Sequence, residues 1–81
     1  MVVMINWLGR SGSESREVTA SEAAAMPEDV ARNVYCIVAY GGGGYHATSR
    51  AVGSATLGYT PAELAEHVAY AERVAAEMEA D

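Results

Sequence analysis

Three side chains in this 81-residue chain have the chemistry to hold a metal ion or to activate a nucleophile: Cys36, His46 and His67. One thiolate and two imidazoles would make a three-ligand zinc site with an open position, and a cysteine beside a histidine would make an activated thiolate. Their spacings of 10 and 21 residues match no metal-binding pattern. Cys36 lies in the most apolar stretch, where a free cysteine behaves as a small hydrophobe. His67 falls about 60° from the centre of a helical apolar stripe, an ordinary boundary position. Ser11, Ser13, Ser15, Ser49 and Ser54 include no Gly-x-Ser-x-Gly elbow, and no histidine–acid pair is implied beside any of them. The expectation is a non-enzymatic protein with no catalytic residue, no cofactor and no metal.

The glycine run Gly41–Gly44, flanked by Tyr40 and Tyr45, invites a phosphate-loop reading. A phosphate loop continues into Lys-Ser/Thr, and this chain has no lysine. A dinucleotide fingerprint opens a helix, whereas the segment after Gly44 reads as a strand. A hairpin loop is the expectation, since glycine supplies the positive φ angles such turns need. A small-molecule binder built on this loop with Cys36 and His46 is carried as an alternative.

Charge is the most uneven property of the sequence. The net charge is −6, and residues 61–81 hold six acids (Glu63, Glu66, Glu72, Glu77, Glu79, Asp81) against Arg73 alone. Residues 1–60 nearly balance, with five acids and four arginines. At about 100° per residue, Glu63, Glu66 and Glu77 project opposite the apolar stripe of the last helix, with Tyr70 and Arg73 among them. Such a face either keeps a small protein soluble or docks on a basic partner. An aromatic ringed by acids, as Tyr70 is, belongs to the residue types that anchor interfaces. Glu63, Glu66, Tyr70, Arg73 and Glu77 are therefore the candidate partner-binding residues. An acidic chain without a basic cluster is a poor candidate for direct nucleic-acid or anionic-membrane binding.

These residues are positioned by a small number of elements. Met1–Trp7 reads as a strand, Leu8–Ser15 as a turn, and Arg16–Val18 as a short strand closing a hairpin. Thr19-Ala-Ser-Glu22 is a capping box opening a helix over Ala20–Met26, which Pro27 interrupts. A second helical turn runs from Pro27 to about Arg32. Val34–Tyr40, β-branched and apolar on both faces, belongs at the centre of the sheet. Tyr45–Leu57 alternates, with Ala47, Ala51, Ala55 and Leu57 on one side, and reads as a half-exposed strand bulged at Gly53. Thr60-Pro61-Ala62-Glu63 is a capping box with proline at the first helical position. The helix it opens reaches about Glu79, with Leu64, Val68, Ala71, Ala75 and Met78 recurring as one apolar stripe.

The eight residues Leu57-Gly-Tyr-Thr-Pro-Ala-Glu-Leu64 resemble a short phrase of PAS sensor domains. The resemblance implies three further strands downstream, and only a helix follows here, so no PAS property transfers.

The expected architecture is α+β: one domain over residues 1–81, with a three- or four-stranded, mostly antiparallel sheet. An amphipathic C-terminal helix packs on it, and a short helical segment lies between strands one and two. A chain this short has a thin core. A single cysteine excludes internal disulfides, so a homodimer or hetero-complex is expected. The apolar start has no preceding basic residue, and Arg10 follows too soon for a secretory signal. The longest uncharged stretch, Asn33–Ser49, is 17 residues and broken by glycines, too short to span a bilayer. A cytoplasmic location follows. The functional expectation is an interaction module whose acidic helix docks on a basic partner. Small phage-type inhibitors, anti-CRISPR proteins and other nucleic-acid mimics among them, are similar in size and charge. A homo-oligomeric structural or accessory subunit is the second class.

Overall fold

A computed structural model describes residues 1–53 and 57–80. Four strands form one antiparallel sheet in the order β2-β1-β3-β4, from β1 (Val2–Gly9), β2 (Gly12–Glu17), β3 (Val34–Gly41) and β4 (Gly44–Ser49). Two tight hairpins frame it. In the first, Gly9 stands opposite Gly12, whose φ of +113° is open to glycine but costly for other residues. In the second, Gly42 and Gly43 take φ of +57° and +81° in succession, the signature of a type I′ turn whose twist matches that of the strands.

Three helices lie on one face: α1 (Ala20–Ala24), α2 (Glu28–Ala31) and α3 (Pro61–Ala80). Both expected capping boxes form. The Thr19 backbone N–H donates to Glu22 at 2.9 Å and the Glu22 N–H to the Thr19 hydroxyl at 3.2 Å, and Thr60 and Glu63 make the same exchange at 3.1 Å each way. The 20 residues of α3 span roughly 30 Å. Leu64, Val68, Ala71 and Ala75 are buried against Val3 and Ile5 of β1 and Ile37 and Ala39 of β3, with Met78 packed at the margin. Ala23, Met26, Ala31, Val34 and Tyr59 complete that core.

The architecture is the α+β sheet-and-helix arrangement expected, with three local differences. Leu8–Ser15 is not a turn. β1 continues to Gly9, only Arg10 and Ser11 turn, and β2 is a full strand from Gly12. All six β2 residues are exposed, so this edge strand is held through its backbone ladder and leaves no apolar alternation to read. The helical segment in consequence falls between the second and third strands. Tyr45–Leu57 is not one strand either: β4 stops at Ser49. There the Arg50 N–H donates to the Tyr35 carbonyl at 2.9 Å, and the strand does not continue to Gly53. The Ala55 part of that expectation lies outside the described residues. Finally, β3 is central in the sheet order, but helices cover only one of its faces; on the other, Tyr40 is exposed while Val38 is buried.

Candidate functional site

The five candidate partner-binding residues are spaced 3-4-3-4 along α3, which places Glu63, Glu66, Tyr70, Arg73 and Glu77 in one stripe. All five are exposed, and Tyr70 shows 52% of its surface. The Arg73 guanidinium lies 5.5 Å from the Tyr70 ring centroid, one turn along the helix. The described ion pairs are Arg16–Glu22 and the Met1 amino group with Glu79. Among the described residues, Glu66 and Glu77 have no such partner.

Glu63 differs from its neighbours, because its carboxylate already accepts from the Thr60 backbone N–H. That bond is the main reason its pKa lies below the usual carboxylate value, aided by the Thr60 side chain, Arg50 and His67. Glu79, at the far end of α3, is also lowered, first by the Met1 amino group and then by the Gly42 backbone N–H.

His46 and His67 do meet across a crevice between β4 and α3, shared with Ile37, Thr48, Tyr70 and Ala71. Its volume is about 20 Å³, room for a single water. The His67 Nδ1 is 2.8 Å from the Glu63 carbonyl, as a protonated Nδ1 donating backward along the helix would be, and its ring sits 4.9 Å from that of Tyr59. Cys36 is on the opposite side of the sheet, where the Ser49 hydroxyl approaches its sulfur at 3.8 Å. Among the described residues no three of His, Cys, Asp and Glu converge as a metal site requires.

The glycine run packs the fold together. A Cβ at Gly41 would stand 2.5 Å from the Ala75 carbonyl oxygen, and one at Gly42 would collide with the Met78 carbonyl. The second hairpin thus lies directly against the backbone of the last turns of α3.

Two features escaped the sequence reading. The first is a knot at the entry to α3. The Arg50 guanidinium stacks 4.0 Å from the centroid of buried Tyr59 and donates to the Gly58 carbonyl. Gly58 N–H in turn donates to the Arg32 carbonyl at 2.6 Å and Tyr59 N–H to that of Ala31 at 3.0 Å. Burial raises the Tyr59 phenol above its ordinary pKa, with Arg50 opposing and Cys36 and Glu63 adding to the shift. Beside this knot, Glu28, Arg32, Tyr59 and Glu63 line an open cleft of about 130 Å³.

The second is the sheet face turned away from the helices. Strand register places four ranks across it: Val2, Tyr40 and Tyr45; Glu17, Met4, Val38 and Ala47; Ser15, Asn6, Cys36 and Ser49; and Ser13 with Leu8. A register slip at Asn6/Trp7 brings Tyr35 to the same side, where its hydroxyl meets that of Ser13. Tyr40 and Tyr45 pair at 6.3 Å between centroids. The alternating apolar residues Val2, Met4 and Leu8 of the first strand were its signal in the sequence.

No protein-family model, no curated protein and no solved structure matches this chain. None of its described helices is long and apolar enough to cross a membrane.

Proposed function

We propose that this protein is a non-enzymatic interaction module, acting in the cytoplasm, whose α3 outer face docks on a basic surface of a protein partner. The observation that carries the reading is the single exposed stripe Glu63–Glu66–Tyr70–Arg73–Glu77 on a helix that spends its opposite stripe on the core. Glu66 and Glu77 offer carboxylates without an internal ion pair among the described residues, and Tyr70 supplies an exposed aromatic anchor between them. The most specific form is a small phage-type inhibitor, anti-CRISPR-like or another nucleic-acid mimic, that occupies a nucleic-acid-binding surface by presenting spaced carboxylates in place of phosphates.

The test is capture of a partner from a bacterial lysate at low salt, with release followed as salt rises. A stoichiometric basic partner is expected, lost at high ionic strength because exposed charge pairs are screened within about 10 Å at 0.1 M. A variant carrying Glu66→Gln, Glu77→Gln and Tyr70→Ala should fold and fail to bind. Glu63 stays intact in it, so that the helix cap is not a second variable. Binding that survives both the variant and the salt removes the acidic face from the function. The homo-oligomeric accessory subunit remains a second reading, favoured by the uncovered sheet face.

A further inference from the structure

An antiparallel sheet covered on one side ordinarily turns polar residues outward on the other. This one does not. The outward positions of its two central strands are Val2, Met4, Asn6 and Leu8 on β1 and Cys36, Val38 and Tyr40 on β3. Leu8, Tyr40 and Tyr45, three of the most exposed large apolar side chains in the molecule, all lie on this face. Glu17, on an edge strand, is the one charged residue across the four ranks.

We infer that this sheet face is a homodimer interface, and that two copies of the chain stack sheet to sheet with their α3 helices outermost. Area supports it. Four strands at about 4.8 Å and six to eight residues at about 3.3 Å give a patch of roughly 400–500 Å² in projection per protomer. Two such patches approach the roughly 1,000 Å² in total that a specific interface needs, before side-chain relief is counted. Charge supports a second copy over a foreign partner. At −6 per chain, two copies repel wherever charged surfaces meet, and this is the charge-poor side. Stacking here keeps the two acidic helices on opposite outer surfaces of a four-layer sandwich. A two-fold axis along the strands sets β1 of one protomer over β3 of the other. Met4 then packs on Val38 of the second copy and the reverse, while Glu17 faces the short residues of β4 instead of another Glu17. The inference is independent of the acidic-face reading.

Solution mass against concentration, by sedimentation equilibrium, decides it. The expected mass is twice 8.5 kDa, and it should persist at high salt, because apolar contact is not screened. Tyr45→Glu, at a position 71% exposed on an edge strand and so tolerant in the monomer, should weaken the dimer at least about tenfold by burying an unpaired carboxylate. Met4→Glu should do the same, with circular dichroism confirming that both variants fold. Tyr70→Ala, on the other side of the molecule, should leave the mass unchanged. As a readout without substitution, the lone Cys36 thiol should react with a maleimide more slowly as protein concentration rises. A wild-type chain that stays monomeric at hundreds of micromolar overturns the inference, and so does a dimer that ignores Tyr45→Glu and Met4→Glu. A dimer that falls apart in salt or on Tyr70→Ala places the contact on α3 and also overturns it.

Discussion

At the scale of single residues, Tyr59 is a buried side chain that still carries an ionisable group. Its ring has Arg50 over it at 4.0 Å and the tilted His67 ring at 4.9 Å, and it is buried where the chain enters α3. Burial raises its pKa, so the fold favours the neutral phenol. The corresponding stability is complete below the unfolded value of about 10 and is lost as pH rises through the folded one. In an alkaline titration followed by phenolate absorbance, one of the five tyrosines should ionise last and together with loss of the circular dichroism signal. Tyr59→Phe should remove that last phase. Five tyrosines ionising together while the fold persists would contradict the account. Glu63 shows the opposite sign: its lowered pKa ties helix stability to the charged form, present above the usual carboxylate value and lost as pH falls through the folded one.

At the scale of elements, the second hairpin and α3 hold each other in place through glycines. Gly42 and Gly43 both have positive φ, but only Gly42 lies against the Met78 carbonyl, and around Gly43 there is open space. Gly43→Ala should therefore cost about 1–2 kcal/mol, the strain of the left-handed conformation alone. Gly42→Ala adds overpacking against backbone and should cost about 1–3 kcal/mol more. Urea melts of the two variants separate these terms, and equal losses would show that the helix does not press on the turn. The same pair marks where the sequence is legible. Thr60-Pro61-Ala62-Glu63, the Leu64–Met78 stripe and the β-branched run of β3 announce their structures because their signals are local and periodic. The glycine run reads as a turn for the same reason, but its contact with a helix more than 30 residues away leaves no local trace. β2 and the end of β4 were misread because an edge strand needs only backbone partners, and because Arg50 redirects the chain through contacts with Tyr35, Gly58 and Tyr59. The acidic stripe was legible from its helical spacing. The open face was signalled only ambiguously, by Val2, Met4 and Leu8, since apolar residues on both sides of a strand read equally well as a strand buried on both sides.

For the molecule as a whole, acids concentrate on the outer face of α3, around the single exposed aromatic Tyr70, and the charge-poor sheet lies behind it. Lowering the pH reduces the net negative charge without touching the apolar face. Near the isoelectric point of about 4.7, repulsion between copies vanishes. Light scattering should then report association beyond the mass found at neutral pH, reversed on returning to pH 7. Clear solutions through that range would show that charge is not what limits assembly. The chain order adds a temporal side to this arrangement. The helix that covers Val3, Ile5, Ile37 and Ala39 is synthesised after all four strands. A nascent chain that has completed β4 but not α3 holds a sheet with one face bare and the other backed only by the short α1 and α2, with unpaired edges at β2 and β4. For the time the ribosome needs to make about 30 more residues, at 5–20 residues per second, this intermediate is the species most exposed to misassembly and to chaperone capture.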